Sequence, residues 1–366
     1  IKPSTLYLLF QESATLRREV PDTFPKSLHN HLAFSRKGRI IRSNEIVRGP
    51  DWNGRARRDR ENHDMKRMLF VYNPTAGKGA AAAHLSGVVD QFTKAGWLTT
   101  VYPTQDKKDA TRVARELGSY YDRVVCCGGD GTLSETAAGL LELSRPPLLG
   151  YIPSGSTNDC GATLRIPRGY KKAAELAAGD GEPLRWDIGT LNQQPFVYVA
   201  AFGAFTEVSY DTPQDLKNTF GHLAYIMAGI ASIPSITPYH MKVEYDGQVL
   251  EDDFFYGMVC NTYSVAGMRN LPTDRVELDD GLFEVILVRK PMSIGEIGAG
   301  LQTLLRPGAV EEGSALLSFH ASQLKFTSEK PIPWTIDGEY GGSHEVSQVQ
   351  NHRQALAILS GRKQGA

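Results

Sequence analysis

The chain has 366 residues, of which 41% are hydrophobic and 22% charged, and its formal net charge is −1. This length is enough for two domains with cores of their own, and the near-neutral charge excludes a whole-protein field that would attract nucleic acid. No apolar run is long enough to span a bilayer, so we expect a soluble protein. The four cysteines have no disulfide-like or Cys-x-x-Cys spacing, which indicates reduced, buried thiols (Cys126, Cys127, Cys160 and Cys260).

The first 64 residues differ from the rest of the chain. They carry 13 Lys and Arg against 8 Asp and Glu, and they contain no methionine. The first methionine, Met65, stands directly before a hydrophobic segment that starts at Met68. We therefore expect residues 1–64 to be a disordered or non-native leader, with native translation starting at Met65. A genuine regulatory arm is the alternative.

From Met68 onward, strand and helix patterns alternate. The predicted strands are 68–72, 97–102, 123–127 and 148–152, and the predicted helices are 80–95, 108–117, 132–143 and 170–178. Such alternation predicts a parallel sheet covered by helices on both faces. Ligands bind such sheets at the carboxyl ends of the strands, so the turns that follow the strands are the place to look for function.

After about residue 184 the pattern becomes rich in strands. The predicted strands are 184–191, 195–201, 239–245, 254–261, 281–288, 323–327 and 354–359, with two helices at 213–233 and 292–305. The Asp246-Gly247 pair predicts a hairpin turn. We expect an α/β domain over 65–187, to which a C-terminal segment at 352–362 returns, and a mostly antiparallel domain over 188–350.

The sequence Gly128-Gly129-Asp130-Gly131-Thr132 follows an apolar strand and opens a predicted helix. Glycines allow the backbone to approach a phosphate closely, and the helix N-terminus points its amides at the anion. Asp130 is an acid and does not suit a phosphate, so its expected partner is a magnesium ion carried by the nucleotide. The alternative is a plain tight turn in which the aspartate caps the helix.

Two further turns repeat this pattern. Residues 73–78 (Asn-Pro-Thr-Ala-Gly-Lys) follow the first strand, and residues 153–159 (Pro-Ser-Gly-Ser-Thr-Asn-Asp) follow the fourth. The first turn does not match a Walker loop, and taken alone it is better explained as a loop with a solvated lysine. Three glycine-bearing turns at one edge of a sheet nevertheless predict a phosphate site. No Gly-x-Ser-x-Gly or Gly-x-Gly-x-x-Gly motif occurs, which counts against a hydrolase or a Rossmann dehydrogenase.

These three turns and a late Asp337-Gly-Glu sequence together resemble the diacylglycerol kinase catalytic-domain family, most closely its soluble bacterial lipid kinases. The resemblance runs from about Met68 to Leu359 and includes Leu278-Asp-Asp-Gly281. It implies an α/β fold of the two-domain NAD kinase/diacylglycerol kinase type, in which a parallel-sheet nucleotide domain precedes an antiparallel β-sandwich domain that binds lipid.

The resemblance also implies the cofactors, ATP and Mg²⁺, and a role for individual residues. The implied ATP-binding residues are Asn73, Pro74, Thr75, Ala76, Gly77, Lys78, Thr104, Gly129, Asp130, Gly131, Thr132, Leu133, Ser134, Glu135 and Ser156. Asp130 would organise the catalytic magnesium with Asp159 nearby, and Glu339 would be the general base for the lipid hydroxyl. A second, structural magnesium would be held by Glu277 (backbone), Asp280 (side chain) and Leu282 (backbone). Without the resemblance, Glu339 would be better explained as an acid of a hairpin turn, and for Asp280 an ordinary turn and a metal site would be equally good explanations.

Three positions depart from the family pattern. Ser134 stands where the family has asparagine, and Ser156 stands where the third turn has threonine. Ala228 occupies the position of a lysine that the soluble bacterial lipid kinases carry. If that lysine neutralises charge in the transition state, its loss would slow the transfer unless Lys217 or another cation substitutes.

We therefore predict a lipid kinase that transfers the γ-phosphoryl group of ATP to diacylglycerol or a related lipid, giving phosphatidic acid and feeding phospholipid metabolism. We expect it in the cytoplasm, in peripheral and reversible contact with the inner membrane surface, with a lipid as its partner and a homodimer as an open option. NAD kinase is the alternative enzyme. A catalytically weak regulator that binds nucleotide or lipid is the alternative of another class, and Ala228 is the reason to consider it.

Overall fold

The computed structural model describes residues 33–34, 40–41, 65–203, 237–262, 277–289 and 315–361. The chain divides into two units, Ile1–His63 and Asp64–Ala366. In the first unit, strands β1 (Ala33–Phe34) and β2 (Ile40–Ile41) form an antiparallel pair. The predicted helices at 213–233 and 292–305 lie outside the described residues.

The second unit holds the other strands and all the described helices. Its strands are β3 (Arg67–Tyr72), β4 (Leu98–Pro103), β5 (Arg123–Gly128), β6 (Leu148–Pro153), β7 (Leu184–Leu191), β8 (Gln194–Phe196), β9 (Val199–Gly203), β10 (Tyr239–Tyr245), β11 (Gln248–Phe254), β12 (Tyr256–Cys260), β13 (Phe283–Val288), β14 (Leu316–Ala321), β15 (Gln323–Ile336) and β16 (Glu339–Ile358). Its helices are α1 (Ala80–Ala83), α2 (Leu85–Lys94), α3 (Asp109–Leu117), α4 (Asp130–Leu141), α5 (Asp159–Thr163) and α6 (Tyr170–Ala178). Within the described ranges, no helix is long and apolar enough to cross a bilayer.

The first half of this unit is the predicted parallel sheet. Its strands lie in the order β4-β3-β5-β6, and every neighbouring pair is parallel. β5 is buried along its whole length, as expected for a strand covered on both faces. Helix α2 packs against α6 and α3 against α4. The end of β16 joins the sheet, where Ile358 pairs in parallel with Leu149 of β6.

The helices of the first half differ in detail from the prediction. The helix expected over 80–95 is two helices, because the backbone at His84 (φ −96°, ψ 0°) leaves the helical conformation and its ring stacks on Tyr170. Helix α4 starts at Asp130, two residues earlier than expected, and the short α5 lacks the length for a periodic signal. Helix α6 has the predicted bounds.

The second half is antiparallel and has its own core. Strands β14, β13, β12, β9, β15 and β16 follow one another in the sheet, β10 pairs with β11 and β15, and β7 pairs with β16 and β8. Phe202, Phe326 and Trp334 form T-shaped aromatic contacts at the centre of this core. The predicted combination of a parallel sheet and an antiparallel β-sandwich is thereby confirmed.

Two strand predictions in the antiparallel half need correction. The strand expected over 195–201 is interrupted between β8 and β9, and the strand expected over 254–261 starts at Tyr256, because Phe254 ends β11 instead. The Asp246-Gly247 hairpin is confirmed between β10 and β11, with φ values of +41° and +81°. All four cysteines are buried and free, as the sequence predicts.

Candidate nucleotide site at the edge of the parallel sheet

The three glycine-bearing turns leave the parallel sheet at the same level. Tyr72 of β3 is paired with Cys127 of β5, and Cys127 is paired with Ile152 of β6. The next residues continue these contacts, because the Asn73 N–H donates to the carbonyl of Cys127 (2.9 Å). The Ser154 N–H likewise donates to the carbonyl of Gly128 (2.7 Å). The turns therefore lie together at one edge, as the alternation of strands and helices predicts.

Two of the glycines are required by the contact between the turns. A Cβ atom on Gly155 would lie 2.7 Å from the Cα of Gly129. A Cβ atom on Gly77, where φ is +61°, would lie 2.5 Å from the carbonyl oxygen of Ser154. Gly131, in contrast, has open space around it in the first turn of α4 and no positive φ. The fold does not explain why this position is glycine, whereas close approach of a ligand would.

The remaining implied ATP-binding residues lie either in the first and third turns or in the first part of α4. Thr75 belongs to the first turn, where its N–H and hydroxyl both donate to Oδ1 of Asn73 (3.0 and 2.8 Å). Ser156 is exposed in the third turn. Thr132 and Leu133 are buried in α4, so their side chains belong to the core and only their backbone could face a nucleotide. Pro74, Ala76 and Lys78 lie in the same turn as Thr75.

Asp130 links the second turn to the third. Its carboxylate accepts the N–H groups of Asp159 (2.9 Å) and Cys160 (3.1 Å), which are the first two residues of α5. Burial raises the pKa of Asp130, and the neighbouring charge of Asp159 raises it further against the opposing effect of the amide hydrogen bonds. The aspartate therefore acts as an anionic cap on a neighbouring helix, a contact that the sequence does not reveal.

The residues around Asp130 suit a magnesium ion. Asp130 and Asp159 are both buried and supply the hard oxygen ligands that Mg²⁺ prefers. In the described part of the chain, no group of three or more His, Cys, Asp or Glu side chains is arranged to hold a metal. Two carboxylates leave positions for phosphate oxygens and water, which is how Mg²⁺ usually binds beside a nucleotide.

Glu135 and Thr104 lie beside the three turns. The N–H of Lys108, at the start of α3, donates to Oε1 of Glu135 (2.8 Å), and the N–H of Thr104 donates to the carbonyl of Tyr72 (2.9 Å). Burial raises the pKa of Glu135, and the charge of Glu339 adds to this effect. The loop between β4 and α3 therefore borders the same site.

Glu339 lies on a tight turn between β15 and β16. Asp337 and Gly338 form the turn with φ values of +49° and +82°, and Ile336 pairs with Glu339 across it. The Glu339 side chain is half exposed, and its Oε2 forms an ion pair with Nζ of Lys107 (3.1 Å). The carboxylate therefore faces solvent, and its charge acts on that of Glu135.

Asp337 is a buried acid beside Glu339 that sequence reasoning did not single out. It is buried, and it accepts hydrogen bonds from Ser134 Oγ (2.6 Å) and from the backbone between β8 and β9. Burial raises the pKa of Asp337 to about 6, against the lowering effect of these hydrogen bonds. An aspartate before a turn glycine is ordinarily solvated, so no pattern in the sequence distinguishes this one.

A cleft of about 840 Å³ runs along the exposed face of α4. Gly131, Ser134 and Glu135 lie in its wall together with Glu339 of the hairpin. Farther along α4 the lining is mixed: the apolar Leu141, Leu143 and Pro195 lie among polar residues such as Glu142, Ser144 and Gln194. The cleft thus contains both the first turn of α4 and the candidate base, and it continues into a region with a mixed polar and apolar lining.

The loop implied to hold a structural magnesium precedes β13. Oδ1 of Asp280 accepts the N–H of Leu282 (2.8 Å), and the carbonyl of Leu282 accepts a hydrogen bond from Asn351 (3.2 Å). The buried carboxylate of Asp187 accepts the N–H of Gly281 (2.6 Å) in the same loop. Only one of the three implied ligands is a side chain, so this metal stays a prediction. Ala228 lies outside the described residues.

Two protein-family models match this chain, one in the parallel half and one in the antiparallel half. A family model described as the diacylglycerol kinase catalytic domain matches residues 67–191. A second model, described as the YegS C-terminal NAD kinase beta sandwich-like domain, matches residues 201–360. The fold and its site thus define a two-domain kinase with a nucleotide half and a β-sandwich half.

Individual relatives narrow the class to a family. A protein named diacylglycerol kinase from Bacillus subtilis (strain 168) is 35% identical over 302 residues, which are 82% of this chain and 98% of the relative. One of the same name from Staphylococcus carnosus (strain TM300) is 36% identical over 278 residues, covering 76% and 90%. The crystal structure of a diacylglycerol kinase from Bacillus anthracis str. Sterne has a TM-score of 0.65 at 26% identity, covering 81% and 97%.

The chain belongs to the diacylglycerol kinase catalytic-domain family. This membership confirms the resemblance inferred from the motifs and the predicted enzyme class, an ATP-dependent lipid kinase. The family implies ATP as the phosphoryl donor. The roles of the individual residues stay predictions.

Proposed function

We propose that this chain transfers the γ-phosphoryl group of ATP to the hydroxyl group of diacylglycerol, giving phosphatidic acid and ADP. The observation that supports this proposal most is that three glycine-bearing turns meet at one edge of the sheet, and that one of them shares a cleft with Glu339. The names of the relatives from Bacillus and Staphylococcus favour diacylglycerol over other lipid alcohols. The lipid would be met at a membrane surface through reversible contact.

In the proposed mechanism, the backbone of the turns holds the triphosphate and Glu339 takes a proton. The lipid hydroxyl oxygen attacks the γ-phosphorus while its proton passes to the Glu339 carboxylate, and the bond from the γ-phosphorus to the bridging oxygen of ADP breaks. Phosphoryl transfer depends on positioning and charge neutralisation more than on covalent chemistry, so such a backbone site suffices. Lys107 brings one positive charge next to Glu339.

Asp130 and Asp159 would hold the magnesium ion that accompanies ATP. When bound, this ion neutralises phosphate charge. Asp130 has a second task that needs no metal, because its carboxylate keeps the N-terminus of α5 against the second turn. Glu277, Asp280 and Leu282 would hold the structural magnesium before β13.

The proposal is tested by measuring ADP release with the full chain, ATP and Mg²⁺. The acceptors are micelles of diacylglycerol, monoacylglycerol, a sphingoid base or a polyprenol, with NAD as a soluble acceptor. We expect turnover with diacylglycerol. Turnover with NAD alone would replace the lipid kinase by an NAD kinase, and tight ATP binding without any turnover would favour the regulator.

The role of Glu339 is tested separately with Glu339→Gln. We expect kcat to fall by about 10²–10⁴-fold while ATP binding is retained, because general-base catalysis contributes about that much. Glu345→Gln is the matched control, since Glu345 is an exposed acid on the same strand. A Glu339→Gln enzyme with normal kcat would remove this residue from the mechanism.

A further inference from the structure

Asp337 is held by an unusual number of donors for a turn residue. Its carboxylate accepts the N–H groups of Val197 (2.8 Å), Tyr198 (3.1 Å) and Val199 (3.1 Å), which are consecutive in the chain. The fourth donor is the hydroxyl of Ser134 on α4, at 2.6 Å. A buried carboxylate is stable only when its oxygens are satisfied, and here the partners come from two separate parts of the fold.

The backbone is shaped around this carboxylate. The strand pattern predicts one continuous strand over 195–201, yet the chain leaves the strand conformation between Phe196 and Val199. At this break three successive amides turn toward Asp337 instead of toward a neighbouring strand. The break between β8 and β9 therefore supplies the three amide donors that bind the carboxylate of Asp337.

The turn that Asp337 occupies also carries Glu339. Between the two residues lies only Gly338, and both Asp337 and Gly338 have left-handed backbone conformations that fix the turn. We propose that Asp337 is a positioning residue that holds Glu339 against the first half of α4, with Ser134 as its anchor on that helix. This inference rests on the proposed role of Glu339 as the general base.

The hydrogen bond to Asp337 changes the role expected of Ser134. A serine hydroxyl has one hydrogen to donate, and phosphate oxygens beside it offer only acceptors. While the hydroxyl donates to Asp337, it cannot also donate to a nucleotide phosphate. Ser134 therefore acts on the hairpin, and its loss affects the rate of transfer more than the binding of ATP.

Ser134→Ala tests this role in steady-state kinetics with the full chain, ATP and diacylglycerol micelles. We expect kcat to fall about tenfold with the KM for ATP within about twofold of normal, because one hydrogen bond that positions the base is lost. Ser134→Thr keeps the hydroxyl and is expected to restore most of the rate. Thr136→Val is the matched control: its hydroxyl bonds within α4, to the carbonyl of Thr132 (2.7 Å).

A double-mutant cycle with Asp337→Asn distinguishes positioning from other roles. If Ser134 acts through Asp337, the losses of kcat and of Tm in the double variant are smaller than the sums of the single losses. Additive losses, or a raised KM for ATP with normal kcat in Ser134→Ala, would overturn the proposal. If Asp337→Asn does not fold, the contrast between Ser134→Ala and Ser134→Thr decides.

Failure of the proposed function and failure of this inference would give different experimental results. A wild-type protein without turnover on any lipid would contradict the lipid kinase, not the anchor. The thermal unfolding of the same variants needs no substrate, so non-additive Tm values would still support the link between Ser134 and Asp337, and additive values would refute it.

Discussion

Gly131→Ala separates the needs of folding from the needs of ATP binding. Gly131 is the second residue of α4, it is exposed, and a Cβ atom added there meets nothing within 4 Å. Alanine is favoured over glycine in a helix by about 0.5–1 kcal/mol. The variant should therefore be more stable than the wild type, with a Tm higher by about 1–3 °C.

The same methyl group would stand where the phosphates are expected. If the amides at the start of α4 grip a phosphate, the methyl group keeps it away, and the KM for ATP should rise about tenfold or more, equivalent to about 1.4 kcal/mol. The assays are thermal unfolding and steady-state kinetics with varied ATP. A more stable protein with poorer ATP binding is the expected pair of results.

Gly87→Ala is the matched control for this experiment. Gly87 is an exposed glycine inside α2 with open space around it, so the change should raise the Tm by a similar amount. No implied ATP-binding residue lies on α2, so the kinetics should be normal. Normal ATP kinetics in Gly131→Ala would show that no phosphate approaches this turn, and the assignment of the nucleotide site would fail.

Three further predictions concern packing, charge and reactivity. Gly155→Ala should lower the free energy of unfolding by about 1–3 kcal/mol and impair ATP binding, because its Cβ atom would lie 2.7 Å from the Cα of Gly129. Gly181→Ala is the control, because the nearest atom to its Cβ lies 3.9 Å away, and it should change neither result in unfolding and ATP-binding assays. Burial raises the pKa of Asp337 to about 6, so the folded state holds the proton of this side chain more tightly than the unfolded state does. The protonated side chain therefore stabilises the folded protein below about pH 4, and this stabilisation is lost as the pH rises through 6. In urea unfolding, the stability of the wild type relative to Asp337→Asn should therefore fall over this range by up to about 3 kcal/mol, and parallel curves would contradict the burial of a charge there. Burial raises the pKa of Cys127 to about 12, so a thiol reagent should label it only after unfolding, and fast labelling of the native protein would contradict its position.

The parallel sheet and its turns could be predicted because their causes are local. Strands buried on both faces give continuous apolar runs, and the helix expected over 170–178 is observed with the same bounds as α6. The common level of the turns follows from the rule that parallel strands end at one edge. The family motifs then supplied the enzyme class.

The parts that escaped prediction depend on distant residues. Strand β16 was expected only over 354–359, because from Glu339 onward its residues are mostly exposed and polar and give no apolar run. Its strand conformation comes from pairing with β15 and β7. The break between β8 and β9 has the same origin, since only the folded chain brings Asp337 to the amides of Val197 and its neighbours.

Strand β16 links the antiparallel half of the second unit to its parallel sheet. It starts with Glu339 in the antiparallel half and ends with Ile358, which pairs with Leu149 of β6, so a single strand connects the candidate base to the parallel sheet. Its pairing with β7 is irregular between His352 and Leu356, where the register shifts and Gln354 has a φ of +55°. Strand β16 therefore ties the position of Glu339 to the parallel sheet, and a substitution that bends the strand at this irregularity would displace Glu339 relative to that sheet.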